Sequence, residues 1–303
     1  MYYTMCEATL QRTELLKNLT DAKFDVYIAE SLDACGIELL ATSLDVHSTW
    51  QRAMNVYSDF VTKGYFSGVR RNIGQLFRDR FGSHFPSIHT IASHATFALE
   101  NTDPFIEFPH PTLHRVVPVG GITVRGAAPL DEKWNEILDR RNRTVLICFG
   151  SMLRKDEMRI EIKRAILSVG GRFNDERLSA FMSHGGIAST LETATRGVPT
   201  LFVPIFFDQP RNAGMLQKQG MAKIVSKYDI DRSDVLIEAM DELLDNPSYH
   251  HNAKKVAAKI ANKPFHAKEL LTRYVEYAAE FGPSLDLRPP SIDMTFIEYH
   301  NLD

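Results

Sequence analysis

Hydrophobic and polar positions follow two alternating periods in the second half of the chain. Short apolar runs, typical of buried strands, are separated by longer stretches with apolar residues at helical spacing. One such stretch runs from Ser189 to Arg196, and Gly197 follows it as a helix stop. This alternation predicts an α/β domain with a parallel sheet. The strands of the sheet are predicted at 144–149, 180–183, 200–204 and 222–225.

The pattern of the first half is less regular. It predicts a strand at 24–29 and a helix over 48–80, with a break at Phe81-Gly82. Two more short strands are predicted at 96–99 and 115–118. Helical spacing elsewhere in the chain predicts helices at 131–140, 156–167, 209–219, 251–262 and 265–280.

Glycine and proline between 120 and 129 predict a link between two domains. With 303 residues, the chain is long enough for two domains of ordinary size. We therefore predict an N-terminal domain at 1–120, a C-terminal domain at 121–285 and a tail at 286–303.

The residues with the clearest chemistry follow two of the predicted strands. His184 is followed by Gly185 and Gly186, which allow a sharp turn into a helix whose free N–H groups favour phosphate. Asp208 and Gln209 follow the next strand, where parallel sheets bind ligands. Their side chains offer paired acceptors or donors to vicinal hydroxyl groups. Each piece also has a plainer interpretation, since a His-Gly-Gly run is commonly a turn and an Asp commonly begins a helix.

The stretch 181–213, supported by 44–57, 143–151 and 268–283, resembles the UDP-glycosyltransferase family, including the UDP-glucuronosyltransferases and their nematode members. The resemblance implies a GT-B-like α/β fold of two Rossmann-like domains, both abbreviated here, with a C-terminal helix that crosses back to the first domain. It also implies transfer of a hexosyl or glucuronosyl group from UDP-glucose or UDP-glucuronate to a small lipophilic acceptor, with inversion and without a metal. The UDP-sugar is a co-substrate, and no cofactor is expected.

The resemblance assigns the diphosphate to His184 and the Gly185-Gly186 turn. Ser151 and Ser189 would lie beside the same phosphates. Ala188 stands where relatives usually carry Asn or Gly, so one phosphate contact is missing.

The resemblance also assigns the remaining parts of the donor and the catalytic base. Glu192 would bind the ribose hydroxyls, and Asp208 with Gln209 would hold the sugar. Glu30 occupies the position of the carboxylate that orients the general-base histidine, but the histidine itself is absent.

Other departures suggest a shortened form. The sequence has only Trp50 and Trp134, and neither lies in the context of the tryptophan that stacks on uracil in relatives. Few residues separate the predicted helix 156–167 from the strand 180–183. An alternative is therefore a catalytically impaired or non-catalytic form that binds UDP-sugar weakly or associates with full-length relatives. A UDP-sugar epimerase shares the architecture, but the motifs Gly197-Val-Pro199 and Asp208-Gln209-Pro210 argue against this alternative.

Charge and cysteine content exclude several classes of partner. A net charge of −3 gives no reason to expect nucleic acid. Three scattered cysteines fit neither a disulfide framework nor a zinc site, and Cys148, inside an apolar strand, is predicted to be a buried thiol. His110 and His114 are separated by Pro111, which argues against a metal-binding helix. Asp229-Ile-Asp231 matches a metal motif of other glycosyltransferases, but Asp231 is better explained as a helix N-cap.

The family operates in the endoplasmic reticulum lumen, anchored by a C-terminal membrane helix, and it serves detoxification. This sequence shows no signal-peptide pattern and no apolar run long enough for a membrane helix, which predicts a soluble chain as given. Asn18 and Asn142 lie in glycosylation patterns that matter only in the secretory pathway. An oligomer with other family members is also expected from the resemblance.

Overall fold

A computed structural model provides the coordinates. It describes residues 7–26, 28, 67–68, 71–124, 129–139, 144–150, 158–169, 179–283, 285–290, 294–295 and 298.

The second half of the chain contains a parallel sheet of four strands. Its strands pair in sequence order, so Val145–Cys148 and Ala222–Ile224 are the two outermost strands among the described residues. Val145 lies opposite Ala180, Phe181 opposite Thr200, and Thr200 opposite Ala222, which defines the register across the sheet. The strands predicted from the sequence are confirmed, and their bounds are β3 Val145–Cys148, β4 Ala180–Ser183, β5 Thr200–Phe202 and β6 Ala222–Ile224.

Helices account for most of the remaining structure. Residues 71–81 are helical and end where the break at Gly82 was predicted. The other helices are α1 Thr13–Asp21, α2 Ile88–Ser93, α3 Glu132–Asp139, α4 Ile160–Val169, α5 Ile187–Arg196, α6 Gln209–Lys218, α7 Ser233–Asp245, α8 Pro247–Ala261 and α9 Ala267–Phe281. Short 3₁₀ turns occupy Lys227–Asp229 and Leu285–Leu287.

Successive residues of each strand point to opposite faces of the sheet, which creates two hydrophobic cores. Leu201 is fully buried against α4 and α7 on one face. Phe202, the next residue, is fully buried among residues of α5, α6 and α8 on the other. The strands are therefore apolar on both faces, as expected for parallel strands covered by helices on each side.

The helices that follow neighbouring strands lie on opposite faces of this sheet. Helix α4 follows β3 on the face that it shares with α7, whereas α5 follows β4 on the other face. The connections that follow β3 and β4 therefore lead to opposite faces of the sheet, although the order of the strands does not reverse. Open α/β sheets bind their ligands in the crevice beyond the carboxyl ends of the strands. Gly150 and His184 lie at this place.

The described part of the first half agrees only partly with the secondary structure predicted from the sequence. Strands β1 (Ala98–Glu100) and β2 (Val116–Pro118) form a parallel pair close to the predicted positions. The strand predicted at 24–29 is wrong for residues 24–26 and 28, which are not in a strand. Helix α1, just before them, was not foreseen. The predicted helix over 48–80 falls largely outside the described residues.

Two details of the second half also differ from the predictions. Cys148 is a free cysteine that is half-buried rather than buried, because β3 is an outermost strand of the described sheet. Asp231 is not the N-cap of α7, because the helix begins one residue later and Arg232 occupies the cap. Asp231 instead forms an ion pair with Arg159, at 2.6 Å between Oδ2 and Nη2.

The segment that follows β1 packs against the second half of the chain. Ile106 lies in the core formed by α5, α6 and α8. Two buried ion pairs anchor the same segment, Glu107 with Arg211 at 2.6 Å and Asp103 with Lys263 at 2.8 Å. The division of the chain at residue 120 stays a prediction, but these contacts attach 103–107 firmly to the C-terminal sheet.

Helix α9 crosses back to the first half of the chain. The ring of Tyr274 meets the ring of Phe97 edge-on, with 4.7 Å between the centroids, and Tyr277 lies 5.9 Å from the same ring. Thr96 donates its hydroxyl to the carbonyl of Gly282. These contacts agree with the predicted crossing of the C-terminal helix.

Candidate functional site

His184 follows directly after β4, and two glycines leave room for its ring. A methyl group at Gly150 or Gly186 would lie 2.9 or 2.8 Å from Nε2 of His184, so any larger residue at either position would displace the imidazole. Oγ of Ser183 lies 3.4 Å from Nδ1. The half-buried ring is therefore held beside the carboxyl ends of β3 and β4.

The surroundings of His184 favour a neutral imidazole. Burial lowers the pKa of His184 below its ordinary value, and this effect outweighs the negative charge of Asp208 and the hydrogen bond to the carbonyl of Cys148, which both raise it. A neutral ring carries one N–H donor and one acceptor nitrogen. It can donate to a phosphate oxygen, and a bound anion would stabilise its protonated form.

The N-terminus of α5 opens beside this ring. Gly186 caps the helix without a side-chain hydrogen bond, and the first helical backbone bond runs from the N–H of Thr190 to the carbonyl of Gly186. The N–H groups of the first helical turn before Thr190 therefore have no partner within the helix. Together with the helix dipole, they form a site that favours an anion. Ser189 is half-buried in this turn, and exposed Glu192 lies one turn further along the helix.

A hydrogen-bond network joins this turn to the start of α6. Asn212 donates to the carbonyl of Gly185 at 3.0 Å and to Oδ2 of Asp208 at 2.6 Å. Gly185 has φ +88°, and an added Cβ would lie 2.9 Å from the carbonyl oxygen of Gln209, so the position requires glycine. Asn212 is buried and sets the distance between the two halves of the site. Sequence reasoning assigned it no role, although its position one turn after Asp208 was the available signal.

The side chain of Gln209 is partly engaged in hydrogen bonds to the backbone of the protein. Its Oε1 accepts hydrogen bonds from the N–H groups of Ile205 and Phe206, at 2.9 and 3.1 Å, and the residue is buried. The carbonyl end of the side chain thus supports the loop between β5 and α6. The amide nitrogen Nε2 is the part of the side chain left for a ligand, whereas the half-buried carboxylate of Asp208 accepts only from Asn212 among the hydrogen bonds described.

The structure brings together most of the predicted site. His184, Gly185, Gly186 and Ser189 meet Asp208 and Gln209 at one edge of the sheet, through the contacts given above. Ser151 and Glu30 lie outside the described residues. Within the described ranges, no group of three His, Cys, Asp or Glu side chains could hold a metal ion. In the same part of the chain, no helix is long and apolar enough to cross a membrane.

Comparisons with known proteins agree with this geometry. Residues 175–303 match the profile of a family described as UDP-glucoronosyl and UDP-glucosyl transferase. Over its full length, the chain is 24% identical to ugt-48 of Caenorhabditis elegans, whose name places it among the UDP-glucuronosyltransferases, and it covers 72% of that protein. It is 25% identical to UDP-glucuronosyltransferase 2C1 of Oryctolagus cuniculus, with 99% of this chain and 73% of the relative covered.

The fold is similar to that of solved glycosyltransferases. The crystal structure of glycosyltransferase VinC, in complex with DTDP, superposes with a TM-score of 0.52 at 18% identity. The match covers 77% of this chain and 65% of VinC. The parallel sheets and their helices thus define an abbreviated GT-B glycosyltransferase fold. The C-terminal part of the chain is thus similar to the UDP-glycosyltransferase family, and the whole chain is similar to UDP-glucuronosyltransferases at 24–25% identity.

Proposed function

We propose that the chain binds a UDP-sugar at the N-terminus of α5. One observation carries the proposal: the ring of His184 lies beside the uncapped start of this helix, and Asn212 joins the turn between them to the carboxylate of Asp208. In this arrangement the diphosphate binds His184 and the free N–H groups. Ser151 and Ser189 lie beside the phosphates, and Glu192 binds the ribose.

The sugar then lies toward the start of α6. The carboxylate of Asp208 accepts hydrogen bonds from two vicinal hydroxyl groups, while Nε2 of Gln209 donates to one sugar oxygen. A hexose held at both ends is oriented for in-line displacement of the diphosphate. The helix dipole and the N–H groups stabilise the charge that develops on the departing UDP, so no metal is required at this step.

The proposed reaction is transfer of a hexosyl or glucuronosyl group to a small lipophilic acceptor, with inversion at the anomeric carbon. The donor is UDP-glucose or UDP-glucuronate. Deprotonation of the acceptor requires a general base. Glu30 is proposed to lie at the position that orients this base in relatives.

The alternative is a form that binds UDP-sugar without efficient transfer, or that associates with full-length relatives. The alignment with ugt-48 spans 381 residues, whereas this chain has 303, so the relative has residues within the matched region that have no counterpart here. The residues of the proposed diphosphate site are present in this sequence, whereas the general-base histidine expected from the resemblance is absent. We therefore expect weak or absent turnover together with measurable donor binding.

Calorimetric titration with UDP-glucose and with UDP-glucuronate tests the donor site. Gly186→Ala provides a selective probe, because Gly186 has φ −61° and ψ 143°, which alanine adopts readily, while the new methyl group displaces His184. We expect affinity to fall by about tenfold or more, which corresponds to about 1.4 kcal/mol. Gly214→Ala is the matched control, because its methyl group would meet Phe108 at an ordinary 3.5 Å. Equal binding by both variants would contradict the assignment.

A second assay separates the two candidate functions. The purified chain is incubated with either UDP-sugar and a panel of phenols, and the glycosides are quantified. Donor binding without product supports the non-catalytic form, whereas robust turnover supports the transferase.

Residence in the endoplasmic reticulum and a role in detoxification are proposed from the resemblance to the family alone. Asn18 lies in an exposed stretch of α1 and is accessible to glycosylation. Expression in a secretory host followed by deglycosylation tests this point, since a mass shift at Asn18 is expected only for a chain that enters the lumen.

A further inference from the structure

Phe207 has an unusual backbone for a large aromatic residue. Its φ is +53°, in the left-handed region that favours glycine, and Lys23 is the other non-glycine residue of the described chain with positive φ. A non-glycine residue in this region is strained, and the conformation persists only where surrounding contacts hold it. Strain of this kind points to a functional constraint more often than to chance.

The contacts that hold this conformation come from both sides of the loop. Oε1 of Gln209 accepts from the N–H groups of Ile205 and Phe206. The ammonium group of Lys227 donates to the carbonyl of Ile205 at 3.0 Å. The loop is thus fixed by groups other than the Phe207 side chain itself.

Packing does not explain why this residue is aromatic. The Phe207 side chain is 71% exposed, and its ring meets Phe206 edge-on, with 4.9 Å between the centroids. A residue that contributes so little to the core gains little from burial. A glycine would remove the backbone strain at small cost, so folding alone does not favour phenylalanine here.

The loop that carries Phe207 lies at the rim of the proposed sugar site. It follows β5 at the carboxyl end of the sheet and directly precedes Asp208. The Asp208 carboxylate is bound through Asn212 to the turn after His184, so the start of α6 faces that turn. A pyranose presents polar hydroxyl groups at its edges and an apolar C–H face. A carboxylate that binds hydroxyls and an exposed aromatic ring would complement these two surfaces.

We propose that Phe207 is a specificity-determining residue whose ring packs against the C–H face of the donor hexose. The negative face of an aromatic ring attracts the polarised C–H groups of a sugar, and the contact also removes apolar surface from water. The left-handed backbone at Phe207 sets the direction of its ring, and Gln209 holds the loop in which Phe207 lies. This inference rests on the proposed binding of UDP-sugar at the same site.

The experiment compares the affinities for UDP and UDP-glucose, because only the latter carries the hexose. Phe207→Ala removes the ring but retains the strain, Phe207→Gly removes both, and Phe207→Tyr retains the ring. We expect the alanine and glycine variants to lose about two- to tenfold in affinity for UDP-glucose with unchanged affinity for UDP. The tyrosine variant should bind both ligands as the parent protein does.

Thermal unfolding of the same variants excludes a purely structural role. Phe207→Gly should melt no lower than Phe207→Ala, since glycine adopts positive φ without strain. The glycine variant would then be at least as stable as the alanine variant without regaining affinity for UDP-glucose. Phe281→Ala is the matched control, because Phe281 is also an exposed phenylalanine beside one aromatic ring, with 61% exposure and 4.7 Å to the centroid of Tyr277. It should alter neither affinity.

The outcomes separate this inference from the function on which it rests. If the parent protein binds neither UDP nor UDP-glucose, the proposed donor site itself is wrong. If it binds UDP and the alanine and glycine variants retain the parent ratio of the two affinities, the site stands and the role of Phe207 is overturned. An equal loss of UDP affinity in these variants would also overturn it, because the ring would then act on the nucleotide rather than on the hexose.

Discussion

The imidazole of His184 is poised to respond to a bound anion. Burial lowers the pKa of the free protein's ring, whereas two phosphate charges placed beside it would raise the pKa in the complex. Binding then takes up a proton between these two pKa values, so affinity increases as pH falls through the pKa of the complex. Neutral solution should favour an unprotonated ring in the free protein.

This linkage predicts a pH dependence of donor affinity. Titrations with UDP-glucose between about pH 8 and 5.5 should give tighter binding at the acidic end, with proton uptake seen as a dependence on buffer ionisation enthalpy. His184→Gln is the control and should bind weakly with little pH dependence. A parent protein and a variant with parallel pH profiles would place the responsible group elsewhere.

Oε1 of Gln209 supports the loop, whereas Nε2 is proposed to bind the sugar. Two substitutions separate these roles. Gln209→Glu retains oxygen acceptors for the N–H groups of Ile205 and Phe206 but lacks the amide donor. We expect it to fold and to discriminate less between UDP-glucose and UDP. Gln209→Leu leaves both N–H groups unpaired and should lose about 1–3 kcal/mol of stability by denaturant unfolding. Unchanged sugar affinity in the glutamate variant would remove Nε2 from the binding site.

Sequence reasoning located the polar residues of the site but not their partners. The chain order of strand, glycine turn and helix was enough to bring His184 near Asp208, because parallel strands present their carboxyl ends at one edge. The contacts of Gln209 Oε1 and the bridging role of Asn212 depend on the path of a loop. Local sequence does not specify that path, since tertiary packing determines it.

At the scale of elements, the first residues of the helices were predicted less accurately than the helices themselves. Helix α5 begins at Ile187, two residues before the predicted start, because extended Gly186 serves as its cap. Helix α7 is capped by Arg232 rather than by Asp231, which pairs with Arg159 across the fold. Periodicity predicted the existence of both helices, whereas their ends depend on long-range contacts that a local pattern does not contain.

The segment after β1 is attached to α6 by a buried ion pair, and its loss should be costly. The side chains of Arg211 and Glu107 are 3% and 5% exposed, and two of their atom pairs lie at 2.6 and 2.8 Å. Glu107→Gln leaves the Arg211 charge buried without its counter-ion, and we expect a loss of about 3–5 kcal/mol in chemical unfolding.

The control for this prediction is an exposed ion pair on α9. Glu269 and Arg273 are both largely exposed, and Glu269→Gln should cost about 0.5 kcal/mol or less. The double variant Glu107→Leu with Arg211→Met should recover most of the stability, since apolar residues of similar size can replace a buried pair. Similar losses for Glu107→Gln and Glu269→Gln would mean that water reaches the first pair.

On the scale of the whole molecule, α9 connects the two halves of the chain through aromatic contacts. Phe97 belongs to the segment before β1, and Tyr274 lies in the middle of α9. A double-mutant cycle with Phe97→Leu and Tyr274→Leu should give a coupling energy of about 0.5–1.5 kcal/mol. The cycle Phe97→Leu with Phe281→Leu serves as a control. Comparable coupling energies in both cycles would contradict a specific contact between Phe97 and Tyr274.

The abbreviated architecture explains which global features were predictable. Four parallel strands and their helices were apparent because apolar periodicity is strong over 180–280. The first half was predicted less well, as the absence of a strand at residues 24–26 and 28 shows, because short apolar segments there lack the alternation that identifies a parallel sheet. The placement of α4 and α5 on opposite faces of the sheet became apparent only in the structure.

A crystal structure of the protein with UDP-glucose tests the central claim most directly. It should show the diphosphate within hydrogen-bond distance of the His184 ring and of the first N–H groups of α5, with the hexose hydroxyls bound to Asp208. A nucleotide bound elsewhere, or a hexose with no contact to Asp208 or Gln209, would contradict the account.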